Sequence, residues 1–314
     1  MTTVLVTGAG GFLGSHIAGH LLKHTDFRVV ATDSFRHNGA AERLAHLSAG
    51  HRLTVVRHDL TARFQFQAWR PDVIVSVASR CSVDESIASP ADFISGNVEA
   101  VLTVAELARQ ARPRITVHLS TDEVYGGEEP GDGRHFPSNP YSASKAAQED
   151  ILRAYARTYG LPVTIVSSAN MFGERQSQLA FVPRLIRAAV KGEPVTLHVS
   201  GGKPGRRWYT YAGNVASFVT SLIPAGAETA FRHIHLPGQV RLDNDQLRRE
   251  IEYLTGLPVP HHLTEAASIR PGYDFEYGHL PQEAEWQPGV SAEEGLSRTV
   301  KSVSYTHLTL PTKA

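Results

Sequence analysis

Two short groups of polar residues carry the side chains that could do chemistry. The first reads T-D-E-V-Y-G from Thr121 to Gly126, and fifteen residues later the second reads Y-S-A-S-K from Tyr141 to Lys145. A tyrosine and a lysine four positions apart on a helix lie on one face, so the ammonium can stabilise a phenolate. We therefore expect Lys145 to lower the pKa of Tyr141 toward neutrality. The simpler alternative is a surface pair that arose by chance.

Adjacent carboxyl groups at Asp122 and Glu123 add a second acid/base couple to the first group. Hydride transfer from an alcohol does not need such a couple, whereas acid/base chemistry on a neighbouring carbon does. The pair therefore predicts elimination in addition to hydride transfer. The alternative is a solvated acidic helix start whose carboxylates cap backbone amides.

The N-terminal residues indicate a binding site for a dinucleotide. An apolar run at residues 1–6 precedes glycines at positions 8, 11 and 14, and a helical stretch follows from Ser15 to Lys23. Without side chains at Gly8, Gly11 and Gly14, the backbone can turn tightly and approach a pyrophosphate at the helix N-terminus.

A second apolar run ends at an acidic residue about twenty positions further on, where the ribose is expected. The run from Phe27 to Ala31 leads to Asp33, whose carboxylate would accept hydrogen bonds from the ribose hydroxyls. Asp33 would also repel a 2′-phosphate, which favours NAD over NADP. Arg36 follows closely and keeps NADP open as the alternative.

Short apolar strands alternate with helical stretches through the first half of the chain. This alternation predicts an α/β fold with a Rossmann-type doubly wound parallel sheet, whose ligands bind at the carboxyl ends of the strands. The expected strands are 3–6, 28–32, 53–57, 73–77, 116–120 and 163–167, and later helices are expected at 181–190 and 215–222.

Together these motifs resemble the extended short-chain dehydrogenases/reductases of the NAD-dependent epimerase/dehydratase family, from Met1 to about Lys301. Within that family, T-D-E-V-Y-G resembles the signature of the dTDP-glucose 4,6-dehydratases. The resemblance implies three sets of site residues. Its catalytic set is Thr121, Asp122, Glu123, Tyr141 and Lys145. Its cofactor set for NAD is Gly8, Gly11, Phe12, Leu13, Gly14, Asp33, Asp59, Leu60, Ala78, Ser79, Asn97, Tyr141 and Lys145. Its substrate set is Asn170, Arg206 and Arg270, with the two arginines along a diphosphate.

The resemblance also implies the reaction, the domains and the assembly. Tyr141 would take the hydroxyl proton at carbon 4 of a nucleotide-diphosphate hexose, Glu123 the proton at carbon 5, and Asp122 would protonate the hydroxyl leaving carbon 6. Thr121 would hydrogen-bond the carbon 4 oxygen.

Two domains are expected. The NAD-binding domain comprises residues 1–169 and a returning segment at about 212–235. The substrate-binding domain is a smaller α+β unit that comprises residues 170–211 and 236–301. A homodimer is expected through the helix that carries Tyr141, on an apolar stripe comprising Ala147, Ile151, Ala154 and Tyr155, although the same stripe could pack on the sheet.

Several positions depart from the dehydratase pattern. Leu179 and Ala180 replace a usual Glu-Lys pair, Arg80 and Cys81 replace Glu and Ser, and Thr210 replaces a Tyr or His. Since specificity resides in such pocket contacts, the substrate sugar stays open. A nucleotide-sugar 4-epimerase or a UDP-glucuronate decarboxylase of the same fold is the alternative enzyme, and a non-catalytic nucleotide-sensing module is the alternative outside enzymes.

Composition excludes other partners. The 31 basic and 31 acidic residues balance, so neither nucleic acid nor an acidic membrane surface is a predicted partner. A single cysteine, Cys81, suits a reducing cytoplasm, and no signal peptide or membrane span is recognised. His16, His20 and His24 share a helix face without a matching carboxylate or thiol, so we predict no metal. Residues 302–314 resemble translated sequencing-adapter read-through, and we leave them out of the fold as non-native; the alternative is an ordinary frayed tail.

Overall fold

The computed structural model describes residues 1–47, 50–62, 70–126, 134–225, 231–265 and 286–309. Within these residues, strands and helices alternate as the sequence predicts. Strands β1 to β13 are, in chain order, Thr3–Thr7, Arg28–Asp33, Leu53–Arg57, Val73–Ser76, Ile115–Thr121, Val163–Ser168, Asn170–Phe172, Val195–Ser200, Lys203–Pro204, Arg206–Tyr211, Phe231–Leu236, Val240–Asp243 and His261–Glu265. Helices α1 to α9 are Phe12–His24, Ala40–Ala45, Val83–Ala88, Pro90–Ala111, Pro140–Tyr159, Phe181–Lys191, Ala212–Ala225, Asn244–Thr255 and Ala292–Thr309.

Seven parallel strands form the central sheet in the order β11-β6-β5-β4-β1-β2-β3. Helices cover both faces, which explains why β4 and β5 are buried along their whole length, although β5 alternates apolar and polar residues. Side chains of α1 and α7 pack on one face, and those of α4 and α5 pack on the other. The predicted doubly wound α/β fold is therefore confirmed.

The strand order reverses between β1 and β4, which are neighbours in the sheet although they are not consecutive in the chain. From β1 the chain proceeds outward to β2 and β3, and then returns to the other side through β4, β5 and β6. In such sheets a crevice opens at the carboxyl ends of the two central strands, and ligands bind there. The glycine-rich turn after β1 and the loop after β4 both lie at this crevice.

All six strands expected from the pattern form, with ends displaced by two residues or fewer. Within the central sheet the pattern missed β11, which pairs in parallel with β6 and extends the sheet by one strand. Its sequence F-R-H-I-H-L buries only Ile234 and Leu236 fully, so it lacks the continuous apolar run of the inner strands. With α7, β11 falls in the segment that the resemblance expected to return to the sheet.

The remaining elements form two small sheets, β12-β10-β7 and β13-β8-β9. They pack with α6, α8 and α9 around a separate apolar cluster. Helix α9 continues through residue 302 to Thr309, and Val303 is buried in that cluster. Part of the segment that we left out therefore belongs to the fold, whereas its non-native origin and the exact domain limits stay predictions.

Helix α5 presents two apolar faces. Leu152 and Ala156 are buried against the sheet, whereas Ile151 and Tyr155 are half-buried and Ala154 is exposed. Ile151 and Tyr155 nevertheless pack against the same apolar cluster as Leu152 and Ala156, so the alternative that the predicted stripe packs within the chain is partly confirmed, and Ala154 is its exposed member. In the described part of the chain, no helix is long and apolar enough to cross a membrane.

Candidate active site

The glycine-rich turn between β1 and α1 is built so tightly that side chains would not fit. Gly8 adopts φ +64°, and a Cβ there would lie 2.7 Å from the Cα of Ala78 on the loop after β4. A Cβ on Gly14 would overlap the carbonyl oxygen of Gly8, and one on Gly11 would lie 2.9 Å from that oxygen. These contacts leave the backbone bare where a pyrophosphate would approach the start of α1. The turn therefore fits the dinucleotide that the sequence predicts.

Asp33 ends β2 and ties the turn to the second strand. Its carboxylate accepts hydrogen bonds from the backbone N–H of Gly10 at 2.9 Å and of Phe35 at 2.8 Å. A carboxylate has about four lone-pair sites, so two remain for ribose hydroxyls. Arg36 forms an ion pair of 2.6 Å with Asp59 at the end of β3. Asp59 thus partly neutralises the Arg36 guanidinium, the cation on which the NADP alternative depends.

The loop after β4 forms the opposite wall of the crevice. The hydroxyl of Thr7 accepts hydrogen bonds from the backbone N–H of Val77 and of Ala78, at 3.1 and 3.3 Å. Ala78 is held in this way directly against Gly8. Two further predicted cofactor contacts lie after neighbouring strands. Leu60, which follows β3, is buried. Ser79, which follows β4, is half-buried and donates to the carbonyl of Arg80.

Asn97 on α4 uses its side chain to hold that loop. Its amide oxygen accepts from the backbone N–H of Arg80 at 2.8 Å, and its amide nitrogen donates to the Arg80 carbonyl and to the Ser144 hydroxyl on α5. The Arg80 guanidinium lies over the ring of Phe93, 4.7 Å from its centre. Asn97 thus fixes the loop that carries Cys81 against the catalytic helix, and its role as a direct cofactor contact stays a prediction.

Strand β5 ends at the first catalytic group, which continues into a 3₁₀ helix at Asp122–Tyr125. The Thr121 hydroxyl caps this turn, because it accepts a hydrogen bond from the backbone N–H of Glu123 and donates to the Asp122 carboxylate at 3.1 Å. Asp122 and Glu123 are both buried, at 4% and 5% exposure. The alternative of a solvated acidic helix start is therefore wrong.

The buried carboxyl group of Asp122 differs from an ordinary surface acid in its proton affinity. Burial raises the pKa of Asp122 to about 7, and the neighbouring charge of Glu123 contributes to that rise, while Arg207 opposes both. Near neutral pH, Asp122 is therefore divided between its protonated and ionised forms. A carboxyl group in this state can donate a proton, as the predicted role requires.

The second catalytic group occupies the first turns of α5. Asn139 caps the helix, accepting from the backbone N–H of Ser142 at 2.9 Å, and Pro140 stands at the first helical position. This cap fixes the start of α5 and therefore the position of Tyr141 in the site. The Thr121 hydroxyl forms a hydrogen bond with the phenol of Tyr141. Because the charges of Asp122 and Glu123 act on this phenol, the two sequence groups lie together in the fold.

The expected effect of Lys145 on the phenol is not what the structure shows. Burial raises the pKa of Tyr141 well above its ordinary value of 10, and the charge of Glu123 adds to the rise. The ammonium of Lys145 instead donates to the Leu119 carbonyl and to the Gln148 side chain, each at 2.7 Å. Our prediction of a pKa near neutrality is therefore wrong for this arrangement, because burial and the charge of Glu123 raise the pKa of the phenol.

Two further groups lie near these residues, of which Arg207 was not predicted to act in the site and Cys81 was predicted as a departure in the pocket. The buried Arg207 on β10 acts electrostatically on Asp122. Strand alternation could have revealed it, since Arg207 shares its face with the buried Tyr209 and Tyr211. Cys81 is exposed by its residue surface, yet the protein around its thiol desolvates it and raises its pKa, and the charges of Lys145 and Glu123 also act on it.

The predicted substrate contacts are only partly placed. Asn170 begins β7 and pairs with Tyr209, while Arg206 begins β10 and pairs with Asp243 on β12. Both side chains are half-buried. Arg270 lies outside the described residues, so its role stays a prediction.

Comparison with known proteins agrees with this geometry. A model of the NAD dependent epimerase/dehydratase family matches residues 4–234, which include the glycine-rich turn and both catalytic groups. The dTDP-glucose 4,6-dehydratase of Haemophilus influenzae is 29% identical over 333 residues, which cover 96% of this chain and 97% of that protein.

Solved structures of two activities share the fold. The dTDP-glucose 4,6-dehydratase DesIV of Streptomyces venezuelae, with NAD bound, is 30% identical with a TM-score of 0.86, over 98% of this chain and 97% of that one. The UDP-glucose 4-epimerase of Thermus thermophilus, in complex with NAD, is 26% identical with a TM-score of 0.83, over 96% and 99% of the two chains.

Proposed function

Because the chain belongs to the NAD-dependent epimerase/dehydratase family, we propose that it dehydrates a nucleotide-diphosphate hexose to the 4-keto-6-deoxy sugar. The observation that carries this proposal is the adjacent buried pair of Asp122 and Glu123 beside Tyr141. Oxidation at carbon 4 alone needs no such pair, whereas loss of water across carbons 5 and 6 needs one base and one acid. A pKa of about 7 keeps part of Asp122 protonated for the acid's role.

The bare glycine turn and Asp33 fit NAD, the cofactor of this family, at the crevice between β1 and β4. Bound NAD would accept a hydride from carbon 4 and return one to carbon 6, and its positive nicotinamide ring would favour the phenolate of Tyr141. Gly8, Gly11 and Gly14 would lie along the pyrophosphate, and Asp33 would accept from the ribose hydroxyls.

The protein side chains divide the proton transfers between them. Tyr141 as phenolate takes the proton of the carbon 4 hydroxyl, and Thr121 hydrogen-bonds that oxygen. The ketone makes the hydrogen on carbon 5 acidic, so Glu123 can remove it as base. Asp122 donates its proton to the hydroxyl that leaves carbon 6 as water. Glu123 then returns its proton to carbon 5 as hydride reaches carbon 6.

For the substrate we propose only a chemical class, whereas for the reaction we propose each step. The relatives named dTDP-glucose 4,6-dehydratases favour a dTDP-hexose. Arg206 on β10 is proposed to lie along the diphosphate, with Asn170 and Arg270 as further substrate contacts. Arg80, Cys81 and Thr210 depart from the pocket residues of the dehydratase pattern, so the sugar itself is left to experiment.

A 4-epimerase is the second candidate, since the epimerase of Thermus thermophilus shares the fold at 26% identity. The test is incubation with NAD and, separately, dTDP-glucose, UDP-glucose, UDP-N-acetylglucosamine and GDP-mannose, followed by mass spectrometry. Loss of one water from one of these supports the dehydratase. An unchanged mass with a new sugar stereoisomer supports the epimerase, and loss of carbon dioxide from UDP-glucuronate would support a decarboxylase.

Assembly and location are part of the same proposal. We propose a homodimer through α5, on the part of the predicted stripe around the exposed Ala154. Light scattering of the chain with and without Ala154→Glu checks this, because a charge in a dimer seam should shift the mass toward one chain. A cytoplasmic location is proposed from the single cysteine, Cys81.

A further inference from the structure

A buried polar bridge lies beneath the catalytic lysine. The ammonium of Lys145 donates hydrogen bonds of 2.7 Å to the carbonyl of Leu119 on β5 and of 2.7 Å to the amide oxygen of Gln148, one turn further along α5. It also approaches Nε2 of His118 on β5 at 3.5 Å. The side chains of Lys145, Gln148 and His118 are buried, with exposures of 4% or less. The ammonium is therefore held from two elements at once.

The orientation of Gln148 is fixed by its second hydrogen bond. Its amide nitrogen donates to the backbone carbonyl of Asn97 on α4 at 2.8 Å. A carbonyl accepts and cannot donate, so the amide nitrogen must face Asn97 and the amide oxygen must face Lys145. Gln148 thus links the catalytic lysine to the same residue whose side chain holds the Arg80 loop.

His118 completes this bridge as a neutral ring. Its Nδ1 lies 3.0 Å from the hydroxyl of Ser76 on β4, and its Nε2 faces the lysine ammonium, which can only donate. The ring also hydrogen-bonds the Gln148 side chain, so His118 joins this bridge whichever ring nitrogen carries the proton. Burial and the charge of Lys145 both lower the pKa of His118 well below 6.5, which agrees with a neutral ring.

We propose that Gln148 is a positioning residue for hydride transfer, whose amide, with His118, orients the Lys145 ammonium and keeps it protonated inside the protein. The consequence for rate rests on the proposed function, whereas the consequence for the protonation of Lys145 does not. A buried ammonium loses its hydration, and hydrogen bonds from the charged group to neutral acceptors replace part of what was lost.

The proton affinity of Lys145 makes this support matter at working pH. Burial lowers its pKa to about 8, and the charges of Glu149 on the next turn of α5 and of Cys81 after β4 raise it only in part. Among the groups facing it, His118 is neutral and the phenol of Tyr141 keeps its proton. Because the pKa of Lys145 is only about one unit above neutral pH, removal of one hydrogen-bond acceptor would leave much of the lysine uncharged at neutral pH.

The direct test is an NMR titration of the chain carrying ¹³C-labelled lysine. Lys23, Lys191, Lys203 and Lys301 are exposed, and the signal that titrates near 8 is assigned to Lys145 by its loss in Lys145→Arg, which separates it from these lysines and from Lys313. The variant pair is Gln148→Met, which keeps the volume and loses the acceptor, and Gln148→Glu, which puts a carboxylate there. The matched control is Gln110→Met, an exposed glutamine on α4.

We expect Gln148→Met to lower the titration midpoint of Lys145 by about one unit, which is tenfold in proton affinity. We expect Gln148→Glu to raise it and Gln110→Met to leave it unchanged. If both Gln148 variants keep the native midpoint, the proposal is overturned. Should the methionine variant fail to fold, an unchanged midpoint in Gln148→Glu is enough to reject it.

The kinetic test isolates hydride transfer. A nucleotide-linked hexose lacking the 6-hydroxyl can be oxidised at carbon 4 but cannot lose water, so NADH formation, followed by its absorbance, reports that step alone. In Gln148→Met, the rate should decline at a pH about one unit lower than in the native chain. In Gln148→Glu, it should decline at a higher pH than in the native chain. A purely structural role would lower the rate equally at every pH and overturn the proposal. If the native chain forms no NADH with any such sugar, the proposed function fails, yet the lysine titration still decides on Gln148.

Discussion

The raised pKa of Asp122 predicts that the fold is less stable with this carboxyl group than without it at alkaline pH. An acid whose pKa is higher in the folded than in the unfolded chain holds its proton more tightly when folded. Stability is then full below the unfolded value of 3.8 and falls as pH rises until it passes the folded value of about 7. The perturbation that tests this is Asp122→Asn, whose amide oxygen can still accept from the Thr121 hydroxyl.

The magnitude follows from the shift. About three units at 1.36 kcal/mol each give about 4 kcal/mol as an upper value for what the ionised Asp122 costs above pH 7. Asp122→Asn should therefore be more stable than the native chain at pH 8 by up to about 4 kcal/mol, and similar to it at pH 4. Because the charge of Glu123 contributes to the shift, the gain should be smaller in a Glu123→Gln background.

Thermal unfolding of both chains in buffers from pH 4 to pH 8 measures this difference. Asp26→Asn serves as control, since Asp26 is exposed on the turn before β2. An equal gain at pH 4 and pH 8, or no gain at either, would refute the reasoning, because a proton-linked effect must depend on pH. The same variant should lose about 10²-fold or more in water loss while still oxidising carbon 4, as expected when a general acid is removed.

Three further predictions concern the turn, a buried ion pair and the tuning of the acid. Gly8→Ala should weaken NAD binding and stability more than Gly201→Ala, measured by calorimetry and thermal unfolding. Both glycines have positive φ, but only Gly8 has backbone within 3 Å of the added Cβ. His135→Gln should destabilise the chain by about 1–2 kcal/mol at pH 6 and by little at pH 9. A buried carboxylate raises the pKa of His135, so its stabilisation is full below 6.5 and disappears as pH rises through the folded value; a pH-independent loss would contradict this. Arg207→Met should raise the pKa of Asp122 and move the decline of water loss to higher pH, and an unmoved pH profile would show that Arg207 does not tune this acid.

The buried partner of His135 shows what local pattern cannot predict. Glu149 follows Lys145 by one turn of α5 and is fully buried between His135, Ser167 on β6 and His233 on β11. From the sequence it reads as an ordinary polar position on a helix. Only the arrival of β11 beside β6 encloses it, and that pairing joins residues far apart in the chain.

The sequence by itself determined the parallel sheet, the glycine turn, Asp33 at the end of β2 and the helix that carries Tyr141 and Lys145. These features depend on local rules, namely apolar periodicity, bare backbone at turns and the repeat of a helix, so short stretches of sequence suffice. The family resemblance supplied the role of each residue.

Only the tertiary structure decided the proton affinities and the partners of the site. Burial of Tyr141 beside Glu123 raises a pKa that the tyrosine–lysine spacing alone predicts to fall. Gln148 and Arg207 become part of the site because α4, β5 and β10 bring them there. Desolvation and charge act through space over a few ångströms, and which groups come that close is set by packing between elements distant in the sequence.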